Sequence, residues 1–154
     1  MQSLRPVRRV AELGSLGPRE SAMTIQEFPL AWRWTQPSHT VLPPDVLARI
    51  RPLSSAEAAR VHQSSRHPHS GAADSCSAEE ESRARIWLRR VQPELRAGVF
   101  VSWSEDLAVE TSWDIFTEYW DDFCYPSSDD VTVVPVAGSW RLIYHHYEQF
   151  EFVT

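Results

Sequence analysis

Large apolar residues recur at every second position from Phe28 through Leu30 and Trp32 to Trp34, and smaller or charged residues fill the alternate positions. A period of two is typical of a strand that has one buried face. The pattern therefore predicts a first strand over residues 28 to 35.

The next segment has the spacing of short helices. Pro44 suits the first turn of a helix that ends by Pro52, and Ser54 with Glu57 has the spacing of a capping box for a second helix. Residues 64 to 78 are then almost all small or polar. Such a segment has too little apolar area to offset the entropy of ordering it, which predicts a mobile loop.

A third helix is predicted after this loop. Ser77 and Glu80 repeat the capping-box spacing, and acidic residues at the start and Arg89 and Arg90 near the end agree with the helix dipole. The residues expected on its buried face are Ala84, Trp87, Leu88 and Val91.

Strand and helix patterns alternate in the rest of the chain. Residues 99–103 and 107–111 flank a tight polar turn, and residues 131–136 and 140–147 flank the turn at 137–139, so each pair predicts a β-hairpin. Between the hairpins, four aromatic residues at helical spacing predict a helix with a buried aromatic stripe. These residues are Trp113, Phe116, Trp120 and Phe123.

Together these patterns predict an α+β fold. A mainly antiparallel sheet with a C-terminal ββαββ unit is expected to pack against helices from the N-terminal half, as one domain over residues 23–154. A chain of 154 residues is long enough for one such domain with a proper core.

Residues 1–22 have neither apolar periodicity nor the apolar run of an export signal. We interpret them as a flexible arm or as an over-long start of the sequence. No stretch approaches the roughly 20 apolar residues of a membrane-spanning helix. The two cysteines, Cys76 and Cys124, are too few for a disulfide-dense secreted scaffold. The expected location is therefore the cytoplasm, without a membrane partner.

Charge is divided unevenly along the chain. Residues 1–98 carry 14 Arg and 10 acidic residues, whereas residues 99–154 carry 11 acidic residues and Arg141 alone, for net charges of +4 and −10. Nucleic-acid affinity depends on cations that neutralise phosphates, so the acidic half argues against nucleic-acid binding. It favours a basic protein partner, which an acidic face steers during association. An ordinary solvated surface is the alternative interpretation.

The most specific stretch is V-E-T-x-W-x-x-F-x-x-x-W-x-x-F at residues 109–123, with an Asp-Asp pair and later the spacing from His145 to Phe150. Together with FPLAWRWT and LPPDVLARIRPLS nearer the start, it resembles a bacterial family of small proteins known only as a domain of unknown function. The resemblance covers residues 25–55 and 100–153. It implies a single α+β domain, and it implies no activity and no site residue.

Acidic and aromatic side chains crowd the end of the predicted aromatic helix, and a His-Tyr segment follows at the end of the last hairpin. Acidic charge beside tyrosine favours a protein-binding surface. The candidate binding residues are Asp121, Asp122, Tyr125, Asp129, Asp130, His145, His146, Tyr147 and Glu148. Neighbouring residues of a strand point to opposite faces, so at most one of the two histidines can serve this site.

Two catalytic interpretations are weaker. One histidine with Asp129 or Asp130, and with Glu148 as a further ligand, has the mixed donors of a hydrolytic divalent-metal site, but a recognised ligand spacing is missing. A nucleophile, Cys124 or Ser127, paired with His145 lacks the elbow or oxyanion loop of known hydrolases. The same residues also fit a solvated helix end, a buried cysteine and half-buried surface side chains.

We therefore predict a small non-catalytic binding module, similar in size and charge to bacterial immunity or adaptor proteins. Its acidic, aromatic-rich C-terminal face is expected to recognise a basic protein. A metal-dependent hydrolase that uses the Asp/His cluster is the alternative. The sequence predicts no cofactor and no bound metal, and it does not specify the oligomeric state.

Overall fold

The computed structural model describes residues 23–66 and 71–154, so the predicted arm at 1–22 lies outside the described residues. One antiparallel sheet with helices packed on it forms the described part, which confirms the α+β class. Its strands are β1 (Arg51–Pro52), β2 (Ala73–Ser77), β3 (Gly98–Ser104), β4 (Leu107–Ser112), β5 (Val131–Pro135), β6 (Arg141–His145) and β7 (Gln149–Val153). Its helices are α1 (Trp32–Thr35), α2 (Pro44–Leu47), α3 (Ser55–Ser65), α4 (Glu81–Val91), α5 (Trp113–Glu118) and α6 (Trp120–Phe123), preceded by a 3₁₀ turn at Ile25–Glu27.

The strand order is β1-β4-β3-β5-β6-β7-β2, with every neighbouring pair antiparallel. The pairs β3–β4 and β5–β6 confirm both predicted hairpins. The predicted ββαββ unit is incomplete, because the chain continues after a turn into β7, which pairs with β6 and with the edge strand β2. The last hairpin therefore lies inside the sheet, and β2 lies at its edge.

One face of the sheet carries the main core. Val101, Val133, Leu142 and Phe150 are buried on this face together with residues of α1, α4, α5 and α6. All four residues of the predicted aromatic stripe lie in this core, which confirms their predicted burial: Trp113, Phe116, Trp120 and Phe123. The stripe therefore joins the helices to the sheet.

The helix that carries the stripe is interrupted between α5 and α6, at Tyr119. Arg85 of α4 donates from Nε to the Thr117 carbonyl and from Nη2 to the Glu118 carbonyl, each at 3.0 Å. Carbonyls at a helix end need partners outside the helix. Arg85 supplies them, so α4 stabilises the interruption.

The other face of the sheet is covered by α3 over β3, β4 and β5. Ala58 and Val61 of α3 pack there against Phe100 and Ala108. Apart from Val153, which is buried, the side chains on the same face over β6, β7 and β2 are half-buried or exposed. We call this region the open face and define it by His145, Gln149, Glu151 and Ser75.

The capping box predicted for the second helix is confirmed. The Glu57 N–H donates to the Ser54 hydroxyl at 3.2 Å, and the Ser54 N–H donates to the Glu57 carboxylate at 2.9 Å. The capping box predicted for the third helix is wrong. There Glu80 is the N-cap, and its carboxylate accepts the Arg83 N–H at 2.7 Å, while Ser77 belongs to β2.

The predicted first strand is wrong. Ala31 N–H donates to the Phe28 carbonyl and Trp34 N–H donates to the Ala31 carbonyl, each at 2.9 Å, so turns and α1 replace an extended chain. The rings of Phe28 and Trp34 stack in the core with their centroids 5.9 Å apart. Trp32 is 37% exposed and Arg33 is buried, the reverse of the predicted alternation.

The predicted mobile loop is wrong at both ends. Helix α3 continues through Ser65, and residues 73–77 form β2, whose register with β7 has no shift. Between them, residues 67–70 lie outside the described residues. Backbone hydrogen bonds to β7 order β2 although its small side chains bury little area. No helix within the described ranges is long and apolar enough to cross a membrane.

Candidate functional site

The two segments that carry most of the predicted site residues contact each other. The loop after α6 lies against the turn between β6 and β7, where the Ser127 N–H donates to the His146 carbonyl at 2.8 Å. The Asp130 carboxylate accepts the His146 N–H at 2.9 Å and lies 3.0 Å from His146 Nδ1. We call the exposed residues of these segments the paired-loop surface. They are Pro126, Ser127, Ser128, Asp130, His146 and Tyr147.

Both segments contain a residue in the left-handed region of backbone conformation. The φ angle is 73° at Ser127 and 65° at Glu148. Residues other than glycine are strained there, and such strain persists where the surrounding contacts fix the backbone. The hydrogen bonds of the Ser127 N–H to His146 and of the Glu148 N–H to His145 supply such contacts. The paired-loop surface therefore has a backbone shape that is set before any partner binds.

Asp129 points away from this surface and into the protein. Its carboxylate accepts two hydrogen bonds from the Arg33 guanidinium, at 2.7 and 3.2 Å, and one from the Tyr125 N–H at 2.8 Å. Arg33 and Asp129 are only 5% and 8% exposed. The two charges satisfy each other inside the protein. Asp129 thus connects the loop to α1 and is not accessible to a partner.

Tyr125 completes this buried connection. The guanidinium carbon of Arg33 lies 4.0 Å from the centroid of the Tyr125 ring, within the range of a cation–π contact. Trp32 packs edge-on at 6.0 Å from the same ring. Burial raises the pKa of the Tyr125 hydroxyl above its ordinary value. The half-buried Tyr125 therefore helps to hold the loop in place.

Asp121 and Asp122 make their contacts elsewhere. The Asp122 carboxylate accepts the Thr40 hydroxyl at 2.7 Å, and burial raises its pKa. Burial, the charge of Asp122 and the charge of Glu81 raise the pKa of Asp121 to about 6. The described hydrogen bonds do not join these two carboxylates to the paired-loop surface. They form a separate acidic region between α4, α6 and the segment after α1.

Tyr147 is the most exposed aromatic side chain among the described residues, at 63%. The His145 ring stacks on it with centroids 5.0 Å apart and planes at 11°. The His146 ring meets it edge-on at 5.4 Å. The Tyr147 ring is thus open to solvent and held by contacts with both histidines.

The two histidines use their ring nitrogens in different places, as their positions next to each other in sequence predict. His146 contacts Asp130 on the paired-loop surface, whereas His145 Nε2 lies 3.4 Å from Glu151 Oε1 on the open face. A shallow pocket of about 290 Å³ lies beside Glu151, between β2 and Tyr147. The pocket and the paired-loop surface share Tyr147.

No group of three or more His, Cys, Asp or Glu residues in the described ranges is close enough to hold a metal ion. The candidate nucleophile Cys124 is buried, and burial raises the pKa of its thiol well above the ordinary value. Its reactive thiolate form is therefore disfavoured. The arrangement offers Asp130, His146 and Tyr147 as outward contacts.

The sequence pattern does not identify Arg33 or Glu151. Arg33 follows Trp32 in a segment whose alternation predicts a strand with Arg33 on the solvent side, and its burial depends on Asp129. Glu151 lies in β7, which the pattern does not separate from the preceding hairpin.

No protein-family model, curated protein or solved structure matches this chain. The resemblance of residues 109–123 to a bacterial family therefore stays a prediction. The function has to be inferred from the geometry of the described residues.

Proposed function

We propose that this protein is a binding module, of the immunity or adaptor kind, which recognises a basic protein through the paired-loop surface. The observation that carries the proposal is that the exposed ring of Tyr147 and the exposed carboxylate of Asp130 both contact His146. Tyrosine is enriched among the residues that dominate binding energy, and a charge complementary to that of the partner accelerates association.

Tyr147 fits the role of an anchor because binding does not have to order it. Its ring already contacts the rings of His145 and His146. Ordering a mobile side chain opposes association by about 0.5–1.5 kcal/mol, and a side chain held beforehand avoids part of that cost. Tyrosine also combines a broad apolar area with a polar tip. The geometry thus favours Tyr147 as the centre of the interface.

Asp130 supplies a negative charge at the same place. The hydrogen bond from the His146 N–H is the main cause that lowers the pKa of Asp130 below its ordinary value. The carboxylate is therefore ionised at neutral pH. It lies within the acidic part of the chain, residues 99–154, which has a net charge of −10. Such a field accelerates the association of a basic partner.

The experiment uses the full chain to capture a partner from its native host, followed by binding kinetics with the purified partner. Tyr147→Ala should weaken binding by about tenfold or more, mainly through faster dissociation. Asp130→Asn should slow association, most strongly at low salt. Asp45→Asn and Ile86→Ala are matched controls, because both residues are exposed and lie on α2 and α4.

The proposal is wrong if the purified partner binds Tyr147→Ala and Asp130→Asn as it binds the controls. A thermal-shift scan with Mg²⁺, Mn²⁺, Ca²⁺ and Zn²⁺ tests the alternative of a metal-dependent hydrolase. A saturable shift that Asp130→Asn abolishes would support a metal site, since a ligand that binds only the native state stabilises it.

A further inference from the structure

We propose that the basic partner adds an extended segment to the outer edge of β2 and places a basic side chain in the pocket between β2 and Tyr147. This inference rests on the proposed function, because it names the form in which the partner binds. The pairing of β2, the composition of its edge and the charges of the pocket support it.

One side of the β2 backbone is not paired with another strand among the described residues. Within the described residues β2 pairs with β7 alone. Thr154 N–H donates to the Ala72 carbonyl at 3.0 Å, and Ala78 N–H donates to the Glu148 carbonyl at 2.9 Å. Antiparallel alternation therefore directs the N–H and C=O of every second residue of β2 away from β7. Those residues are Ala73, Ser75 and Ser77.

Within the described residues, the edge of β2 has one charged side chain, Asp74, and otherwise lacks the features that usually prevent strand addition. Its sequence Ala-Asp-Ser-Cys-Ser contains no proline, lysine or arginine, and its register with β7 is unbroken. Natural edge strands are commonly protected by such residues, by bulges or by covering elements. The exposed side chains of β2 are small. A second strand would therefore find outward backbone groups and little steric hindrance.

The side chain of Asp74 accepts a hydrogen bond from the central outward N–H of this edge, which belongs to Ser75. The acceptor is the carboxylate Oδ1 of Asp74, at 3.0 Å. A carbonyl of an added strand would replace Oδ1 as the acceptor, so the Ser75 N–H stays satisfied during binding. The released carboxylate of Asp74 would then pair with a basic side chain of the partner. Replacement of Asp74 Oδ1 by the carbonyl of the added strand thus frees the negative charge of Asp74 while the partner is next to it.

The pocket beside the edge has the charge that this partner requires. It is lined by Asp74 and Ser75 of β2, by Glu151 and Gln149 of β7, and by His145 and Tyr147. Glu151 supplies a carboxylate on the open face, the Asp74 carboxylate lies at the sheet edge beside the Ser75 N–H, and no lysine or arginine lines the pocket. Its volume of about 290 Å³ is of the size that an arginine or lysine side chain can enter. The charges are thus complementary to a cation.

A strand added to β2 points every second side chain to the open face, where Ser75 and Glu151 lie. A basic residue at such a position reaches the pocket, and the segment that follows it passes Tyr147. Strand addition and the paired-loop surface therefore form one continuous interface. A second copy of this chain is disfavoured as the occupant, because it brings another Asp74 and the same net charge of −6 to the edge.

The experiment uses a short fluorescent peptide that alternates arginine and valine, with the full chain. Fluorescence anisotropy should show saturable binding, and hydrogen exchange followed by NMR should show slower exchange of the Ser75 and Ser77 amides. Two control peptides keep the length. One replaces arginine by glutamate, and the other keeps arginine but has methylated backbone nitrogens that cannot donate to β2. Both should bind at least about tenfold more weakly, because one tests charge and the other tests strand pairing.

The matched protein variants are Ser75→Pro and Ser75→Thr. Proline removes only an outward N–H, so β2 keeps its bonds to β7, and peptide binding should weaken by about tenfold or more. Threonine retains the N–H and should bind the peptide like the wild type. Glu151→Gln removes the Glu151 carboxylate from the pocket. It should weaken binding of the arginine peptide and reduce the difference in affinity between the arginine and glutamate peptides. The methylated peptide gives the same test on the unmodified protein if Ser75→Pro does not fold.

Three results would overturn the inference: no binding of the arginine peptide, equal binding of the methylated peptide, or a concentration-dependent dimer that Ser75→Pro abolishes. The last result would identify a second copy as the occupant. Binding of the captured partner to the variants distinguishes failure of this inference from failure of the proposed function. If Asp130→Asn and Tyr147→Ala weaken its binding and Ser75→Pro does not, the partner uses the paired-loop surface without strand addition. If none of the three variants has an effect, both proposals are wrong.

Discussion

Replacement of Asp129 by alanine should lower the free energy of unfolding by about 3–5 kcal/mol, because it leaves the guanidinium of Arg33 buried without a counter-charge. Both side chains are almost inaccessible, and the carboxylate accepts two hydrogen bonds from the guanidinium. Removal of one partner from such a pair is much more destabilising than the net contribution of the intact pair, since the remaining charge cannot recover its hydration.

The remaining neighbours of Arg33 do not compensate for the loss. They are the Phe123 carbonyl at 3.5 Å, the Tyr125 ring at 4.0 Å and the Trp32 ring at 5.4 Å, all neutral. The Tyr125 N–H also loses its acceptor, and an unsatisfied buried donor costs about 1–3 kcal/mol. The predicted loss in the free energy of unfolding, about 3–5 kcal/mol, is the range observed when one partner of a buried ion pair is removed.

Asp130→Ala is the matched control, because Asp130 is the next residue and its side chain is 66% exposed. Its pair with His146 is solvated, so the loss should be about 1 kcal/mol or less. The double variant Arg33→Met with Asp129→Leu removes both charges and should recover much of the stability that Asp129→Ala loses.

Denaturant unfolding of the four proteins, analysed for midpoint and slope, measures these differences. Equal and small losses for Asp129→Ala and Asp130→Ala would refute the reasoning, because they would show that Arg33 reaches solvent. A double variant as unstable as Asp129→Ala would show that hydrogen bonds to the loop, and not the unpaired charge, dominate the effect.

Three further changes test the core, the acidic region and the sheet edge. Trp120→Ala should lower the free energy of unfolding by about 3–5 kcal/mol, because the ring is buried against Phe150. An unchanged denaturant midpoint would place the aromatic stripe outside the core. Asp121→Asn should raise the free energy of unfolding by about 1 kcal/mol near pH 7 and leave it unchanged near pH 4. The native pKa of Asp121, about 6, lies above its unfolded value, so the wild-type protein loses stability as the pH rises between these two pKa values. Equal effects at both pH values in denaturant unfolding would contradict that pKa. Gly71→Ala should lower the thermal midpoint by several degrees, equivalent to about 1–3 kcal/mol, because a Cβ would overlap the Thr154 carbonyl. An unchanged midpoint would show that the backbone after β7 moves to accommodate the Cβ.

The elements that the sequence predicts correctly are those with a strong local signal. The capping box of Ser54 and Glu57 is satisfied by groups three residues apart, and the two hairpins close through short turns. The aromatic stripe is buried although its helix is interrupted at Tyr119, because burial of large rings follows their spacing and does not require one continuous helix. Local periodicity and capping chemistry therefore determined most of the α+β framework.

The errors occur where distant parts of the chain override the local pattern. Alternating aromatic residues around Trp32 predict a strand with Arg33 on the solvent side, but Asp129 pairs with Arg33 inside the protein and Trp32 is exposed instead. The small polar residues of β2 predict disorder, but β7 supplies their backbone with hydrogen-bond partners. A pattern that compares neighbouring residues contains no information on Asp129, which pairs with Arg33, or on β7, which pairs with β2.

The same distinction applies to the candidate site. The sequence by itself determined that carboxylates, histidines and tyrosines concentrate after α6 and around the turn before β7. Only the tertiary structure decided their directions: Asp129 turns inward to Arg33, 96 residues away, whereas its neighbour Asp130 turns outward to His146. Composition and spacing do not distinguish two adjacent aspartates. Their surroundings do, because a buried carboxylate requires a cation and an exposed one does not.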